Sequence, residues 1–270
     1  MIKSFHSVFG ERPPLIAMIH IEALPGTPAY QGDLTAVIQQ AAAEARLLTS
    51  LGVDALMIEN MHDTPYLNRK VGPEIISAMT AAALAVRAAS PDLPCGIQVL
   101  AGANKEALSI ALTAGFQFIR AEGFVFSHIA DEGLMNSDAA SLLRYRKSIG
   151  ADHIAVFTDI KKKHSAHAIT QDVDLAETAK AAVFYRSNGL IITGTATGAA
   201  AQPEDVKAVK NACPNQPVLI GSGVNPQNIA DYAAYADGFI VGSYLKKDGR
   251  WAEKIDPDRV RMIVDAVKGL

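Results

Sequence analysis

Several familiar signatures are missing from this 270-residue sequence. Cysteine occurs only twice, at Cys95 and Cys213, and there is no C-x-x-C or H-E-x-x-H spacing, so no zinc site is read from it. The two thiols are expected to be free, small core residues in a reducing compartment. No apolar run approaches the ~18 residues of a membrane span. The alanine-rich stretch 78–89 is interrupted by Thr80 and Arg87 and reads as an amphipathic helix. Met1 to His6 lack the apolar stretch of a signal peptide. A surplus of one charge is lacking too: 25 Lys and Arg face 28 Asp and Glu, a net charge of −3. That argues against the basic face by which nucleic-acid polymers are held. No Gly/Ser-rich linker or charge block divides the chain, so residues 1–270 are read as one cytoplasmic domain without membrane insertion. A hydrophobic content of 49% rules out intrinsic disorder.

What is present is a repeated unit: a short apolar run, a loop, then a longer stretch of helical period. The runs are 15–21, 53–58, 96–100, 118–121, 154–160, 190–193, 218–220 and 238–241, eight in all. Continuous apolar runs suit parallel strands covered on both faces. The intervening stretches carry helix signals. Asp33 precedes an apolar stripe at Leu34, Val37, Ile38, Ala41, Ala45 and Leu48 and is placed as an N-cap. Pro73, Pro203, Pro226 and Pro257 stand where a first helical residue is expected, and Gly52, Gly115, Gly150 and Gly189 where a helix has just ended. Eight strand–helix units in this length predict an α/β fold, a single (β/α)8 TIM barrel. The rival doubly wound sheet would carry a glycine fingerprint after its first strand. Here that segment is His20-Ile21-Glu22-Ala23-Leu24-Pro25-Gly26.

In such a barrel chemistry gathers at the carboxyl ends of the strands, and these ends are polar. The first run ends in His20, the second in Glu59-Asn60, the third carries Gln98 and leads to Asn104, and the fourth holds Arg120 and Glu122. The fifth ends in Asp159-Ile160-Lys161-Lys162-Lys163-His164. Period-two alternation puts Phe118, Arg120 and Glu122 on one face, and Ala155, Phe157, Asp159 and Lys161 on another. Arg120, Glu122, Asp159 and Lys161 are thereby expected to project into one mouth, as a structural ion network or around a polar ligand. Alternation also directs Lys161 and Lys163 inward and Lys162 outward. A lysine in a dry pocket serves as base or Schiff-base amine, or stays cationic and holds an anion. His20 is read either as a ligand contact or as a hydrogen-bonded core histidine, and Asn104 also as a helix N-cap.

The clearest local signal is an anion cradle. The seventh run leads into Gly221-Ser222-Gly223-Val224-Asn225-Pro226, with Asn225 placed to cap a helix, and the eighth into Gly242-Ser243-Tyr244. Glycine lets backbone N–H groups approach an anion, and barrels often hold phosphate on these two loops. Gly194 and Thr195 after the sixth run are assigned to the same phosphate site. Pro226 breaks a G-x-G-x-x-G pattern, so no dinucleotide is inferred. No cofactor is required, although carboxylates such as Glu59, Asp63 or Glu122 beside a substrate phosphate would suit magnesium.

Taken together, Met18-Ile19-His20 with Leu24-Pro25-Gly26, Glu59-Asn60, Phe118-Ile119-Arg120, Lys163-His164, Thr193-Gly194, Gly221-Ser222-Gly223, and the ending 237–243 with Leu245-Lys246, resemble the BtpA/SgcQ family over nearly the whole chain. The resemblance implies a ribulose-phosphate-binding type of barrel, one branch linked to photosystem I biogenesis and another to sugar-phosphate catabolism. After the third run the family pattern is departed from: only Asn104 of an Arg-Asn-Asp run carries over. The stretch 123–134 is also distinctive and is read as a lid.

The expected function is isomerase or lyase chemistry on a phosphorylated small molecule, a sugar phosphate or a nucleotide-like compound. Gly194, Thr195, Gly221, Ser222, Gly223, Gly242 and Ser243 would hold the phosphate. Lys161 or Lys163 would act as base or amine, with Asp159, Glu122 and Glu59 as proton carriers. Arg120 and His20 would orient polar groups or stabilise charge, and Asn60, Gln98, Asn104 and His164 would touch substrate. The rival is a non-catalytic ligand-binding or assembly factor. Alanine-rich helices are compatible with a homo-oligomer.

Overall fold

The computed structural model describes residues 5–194 and 196–270. Eight parallel strands close into a barrel: β1 (Leu15–His20), β2 (Ala55–Glu59), β3 (Cys95–Gln98), β4 (Phe118–Ala121), β7 (Ala155–Asp159), β9 (Gly189–Ile192), β10 (Val218–Ile220) and β11 (Gly238–Val241). Their order around the ring is β1-β11-β10-β9-β7-β4-β3-β2, which is chain order closed on itself. Each of the eight expected runs overlaps one barrel strand, so the (β/α)8 expectation holds.

The helices between them are α2 (Leu34–Ser50), α3 (Pro73–Ala89), α4 (Asn104–Ala114), α5 (Ala139–Ser148), α6 (Leu175–Phe184), α7 (Pro203–Ala212), α8 (Ile229–Tyr232) and α9 (Pro257–Lys268). Most start where the sequence says. The Asp33 carboxylate accepts from the Ala36 amide at 2.9 Å, and Pro73, Pro203 and Pro257 each open a helix. Gly52, Gly115 and Gly150 take positive φ just past helices. Two expectations fail. Pro226 opens no helix, because Asn225 Oδ1 accepts from the amides of Gln227 and Asn228 in a tight turn and α8 begins only at Ile229. Gly189 is no helix stop but the first residue of β9, where an added Cβ would lie 2.7 Å from the Phe157 ring.

That contact shows how the barrel interior is filled. Inward-facing Ile16, Met18, Ala55, Met57, Phe118, Phe157, Ile191, Leu219 and Ile240 form a core separate from the larger one between sheet and helices. Phe118 and Phe157 fit because the inward neighbours on β3 and β9 are Gly96 and Gly189. Outward residues Ile154, Val156, Thr158 and Ile160 are buried against the helices, as alternation requires. The bottom is stoppered by a short helix the sequence reading did not anticipate, α1 (Phe5–Phe9). Its Phe5 ring lies 5.9 Å from Phe157 and its Phe9 ring 5.5 Å from Phe118.

The stretch after β4 folds as a hairpin, β5 (His128–Ala130) and β6 (Gly133–Met135), joined by β8 (Ser165–Ala166) into a small sheet. Asn68 Nδ2 fastens its tip, donating to the carbonyls of Glu132 at 3.2 Å and Leu134 at 3.0 Å. Arg69 fastens its base through the carbonyls of Gly123 and Asn136 and an ion pair to Asp138 at 2.8 Å. The expected lid is therefore a formed element tied to two loops. Among the described residues no helix is long and apolar enough to cross a membrane.

Candidate functional site

Above the apolar interior, the next inward layer is polar. Pairing aligns His20, Glu59 and Gln98 across β1, β2 and β3. Arg120 and Asp159 face each other from β4 and β7 in a two-pronged pair, Nε to Oδ2 at 2.9 Å and Nη2 to Oδ1 at 2.8 Å. Both are buried. Burial opposes the guanidinium charge, but Asp159 together with Glu59 and Glu122 outweighs it and raises the Arg120 pKa overall. This layer floors an open cleft of about 720 Å³ that continues under the hairpin. The two halves share Glu59, Arg120 and Lys163.

The first half is the expected cradle. It is lined by Gly221 to Asn225 and Gly242 to Tyr244. Gly223 takes φ +68°, and a Cβ there would sit 2.3 Å from the Ala200 nitrogen. One on Gly242 would sit 3.0 Å from His20 Nε2. Only glycine brings the chain this close. The amides of Gly223 and Val224 make no backbone hydrogen bond among the described residues, which leaves donors at the cleft wall. Arg259, in the first turn of α9, lines the same wall; its Nε donates to the Tyr244 carbonyl at 2.7 Å and its guanidinium stacks on the Tyr244 ring.

The lysine run departs from simple alternation. Lys161 takes φ +48°, which ends the strand twist and swings its ammonium to the Val173 carbonyl, away from the mouth. Lys162, expected outward, is the buried one: its Nζ lies 3.3 Å from Glu122 Oε2 and 3.8 Å from Glu132 Oε2. Lys163 is inward as expected and lines both halves of the cleft. Burial lowers its pKa, the nearby Arg120 cation adds to this, and Glu59 opposes it. Burial raises the Glu59 pKa, so this carboxyl holds a proton more tightly than a free one. His20 is held down at about 3, by burial first and then by the Lys246 cation. Its Nδ1 is 3.0 Å from the Trp251 carbonyl, an acceptor, so Nδ1 carries the hydrogen and Nε2 presents a lone pair to the cleft beside Glu59.

Other expected contacts turn out to be internal. Asn60 donates to Asp63 at 2.8 Å and accepts from the Leu100 amide at 2.7 Å, and Asp63 also accepts from the Leu24 amide. Both are engaged in the loop after β2. Asn104 opens α4 but is no cap; its amide group bridges the Glu122 backbone and Asp138. Gly194 lies behind the cradle, donating to Ser222 Oγ at 2.7 Å, and Ser222 Oγ donates to the Ala199 carbonyl at 2.9 Å. The Ser222 side chain thus holds the loop after β9, while its backbone lines the cleft. Thr195 lies outside the described residues. His164 reaches the rim and contacts Thr197 Oγ1 at 2.9 Å. Among the described residues no group of three or more His, Cys, Asp and Glu is arranged to hold a metal.

Thr197 and Gly198, in the Gly/Thr run after the sixth strand that the sequence places at the same cavity, do line it. Sequence reasoning missed Tyr66, Trp251, Glu132 and Arg259, which line the cleft from loops and from the start of α9. Arg259 alone had a signal: Asp256-Pro257 marks a helix start, which places position 259 in the turn facing the β11 loop.

Comparison with known proteins places this geometry. A family model described as BtpA family matches residues 11–269. A Caenorhabditis elegans protein labelled mitochondrial and uncharacterised is 46% identical over 263 residues, covering 96% of this chain and 94% of its own. Photosystem I biogenesis protein BtpA of a Synechocystis strain is 36% identical over 259 residues, 96% of this chain and 89% of its own. Among solved structures, (S)-3-O-geranylgeranylglyceryl phosphate synthase from Thermoplasma acidophilum, in complex with sn-glycerol-1-phosphate, aligns over 100% of both chains with TM-score 0.63 and 16% identity. Phosphoribosyl anthranilate isomerase from Thermus thermophilus aligns over 95% and 98% with TM-score 0.57 and 15% identity. At these identities the structural likeness speaks for the fold.

Proposed function

The chain belongs to the BtpA family, and from that premise we propose that it is an enzyme of isomerase or lyase type acting on a phosphorylated small molecule. The observation that carries the reading is the position of Lys163, a lysine of lowered pKa at the junction of the two half-clefts, opposite a glycine-lined cradle. The structural neighbours named for phosphate-bearing compounds support it by analogy.

In this reading the phosphate sits on the amides of Gly223 and Val224 and the loop at Gly242 and Ser243, with Arg259 supplying positive charge. The reacting carbons then lie at Lys163. Its amine takes a proton from carbon beside a carbonyl, or condenses with that carbonyl to a Schiff base, the carbonyl oxygen leaving as water. Glu59 returns a proton, Arg120 faces the developing negative charge, and His20 Nε2 accepts from a substrate hydroxyl. Were a divalent ion bound with the substrate, Glu59 or Glu122 would hold it, and it would supply positive charge to the phosphate. Cytoplasmic residence and homo-oligomerisation belong to the same proposal; the free buried thiols suit a reducing compartment.

The test is turnover of a panel of sugar and nucleotide monophosphates, followed by NMR, with wild type and Lys163→Met. Conversion of a small set, reduced at least 10³-fold by the substitution, is expected. Binding without conversion of any compound overturns the enzyme reading. It would favour a phospho-ligand-binding assembly factor, the role suggested by the name of the cyanobacterial relative.

A further inference from the structure

The two ends of the cleft differ in charge and in hydrogen-bonding character. The cradle end offers backbone N–H groups and Arg259. The end beneath the hairpin is lined by Gln98, Glu122, Glu132 and Lys162. Four carboxylates line that end, Glu59, Glu122, Asp131 and Glu132, against the three cations Arg120, Lys162 and Lys163, and the Lys162–Glu132 separation of 3.8 Å is too long for a hydrogen bond. Glu132 Oε2 and Gln98 Oε1 are buried with no hydrogen-bond partner. Gln98 is only 2% exposed. An unpaired buried polar atom is costly, so native chains rarely keep one without a reason. Both orphans are acceptors, so the missing partners are donors. Asn68 fixes the backbone at Glu132, so the hairpin tip that carries it stays over this end.

Resting on the phosphate reading above, we infer that the substrate is a phosphate monoester of a polyol or amino polyol. Its hydroxyl or amino groups occupy the end beneath the hairpin and donate to Gln98 and Glu132. A carboxylate or second phosphate at that end meets more carboxylates than cations and is rejected. A site built to receive donors discriminates strongly, because an unsuitable ligand leaves its buried acceptors unpaired.

The experiment is calorimetric titration of the full chain with five probes: inorganic phosphate, sorbitol 6-phosphate, glucosamine 6-phosphate, 6-phosphogluconate and fructose 1,6-bisphosphate. The polyol and amino-sugar esters are expected to bind at least about tenfold tighter than inorganic phosphate, a gain of one or more added hydrogen bonds. The carboxylate and bisphosphate are expected to bind no tighter than inorganic phosphate. Gln98→Leu should cut the tenfold gain at least threefold. Glu132→Gln, which keeps the side chain's size, should narrow the rejection of 6-phosphogluconate at least threefold with an unchanged far-UV circular dichroism spectrum. Equal or tighter binding of 6-phosphogluconate or the bisphosphate overturns the inference, as do unchanged preferences in both variants. Phosphate binding without discrimination overturns this inference alone; no binding by any probe overturns it together with the phosphate reading.

Discussion

Lys163 and Lys161 are two residues apart and have opposite surroundings, and the account depends on the difference. Lys163 is in the cleft, while Lys161 is tied to the Val173 carbonyl outside it. Lys161→Ala is therefore expected to change turnover less than about threefold, measured in the same assay in which Lys163→Met abolishes it. His20 makes a prediction about stability. Its folded pKa of about 3 lies below the ~6.5 of an unfolded histidine. Between those values the unfolded chain binds more protons, so this stabilisation is complete above pH 6.5 and is lost as pH falls toward 3. The total is on the order of a few kcal/mol. Urea melts at pH 7, 6, 5 and 4 should show a shallower loss of stability in His20→Asn than in wild type. Parallel curves would mean that His20 does not titrate as described. The sequence already placed Arg120, Asp159 and Glu59 in the mouth, since strand alternation governs them. It misplaced Lys161 and Lys162 because alternation ends where Lys161 turns to positive φ.

The loop after β10 is the element whose geometry is least tolerant of change. Gly223 combines φ +68° with backbone atoms of Ala199 and Ala200 within 2.4 Å of any added Cβ. Gly223→Ala must shift this loop or the neighbouring one after β9, at a cost of about 1 kcal/mol or more for the left-handed backbone alone. We expect at least a tenfold loss of inorganic phosphate affinity by calorimetry with an unchanged far-UV circular dichroism spectrum. Undiminished affinity would place the anion elsewhere. The glycines that define this cradle were legible because a close backbone approach leaves a compositional mark. Glu132 and Trp251 were not, because loops after β4 and β11 bring them over the mouth by contacts distant in sequence, such as Asn68 to the hairpin tip. The same holds for Asn60 and Asn104: their residue type suits a ligand contact, and only the fold shows that their partners are Asp63, Leu100, Glu122 and Asp138.

At the scale of the molecule, the barrel is filled from both ends by different chemistry, an aromatic stopper below and a polar floor above. Phe9 packs on Phe118 and Phe157 from α1 and is only half-buried. Phe9→Ala is thus expected to cost about 1–2 kcal/mol, below the usual ~3–5 for a fully buried phenylalanine, read as a lowered urea midpoint with unchanged slope. No change would show that α1 leaves the barrel floor independent of it. Eight apolar runs sufficed to show the ring, since each strand is covered on both faces, whereas α1 carries too few residues for a periodic signal. The ring sets Lys163 and Arg120 across one cleft from Gly221 and Gly242. The most direct test is a crystal structure of the protein grown with inorganic phosphate at saturating concentration. The account predicts the anion on the amides of Gly223 and Val224 beside Ser243 and Arg259, with the Lys163 ammonium across the cleft from it. Phosphate held outside this cradle, or a cradle left unoccupied at saturation, would contradict it.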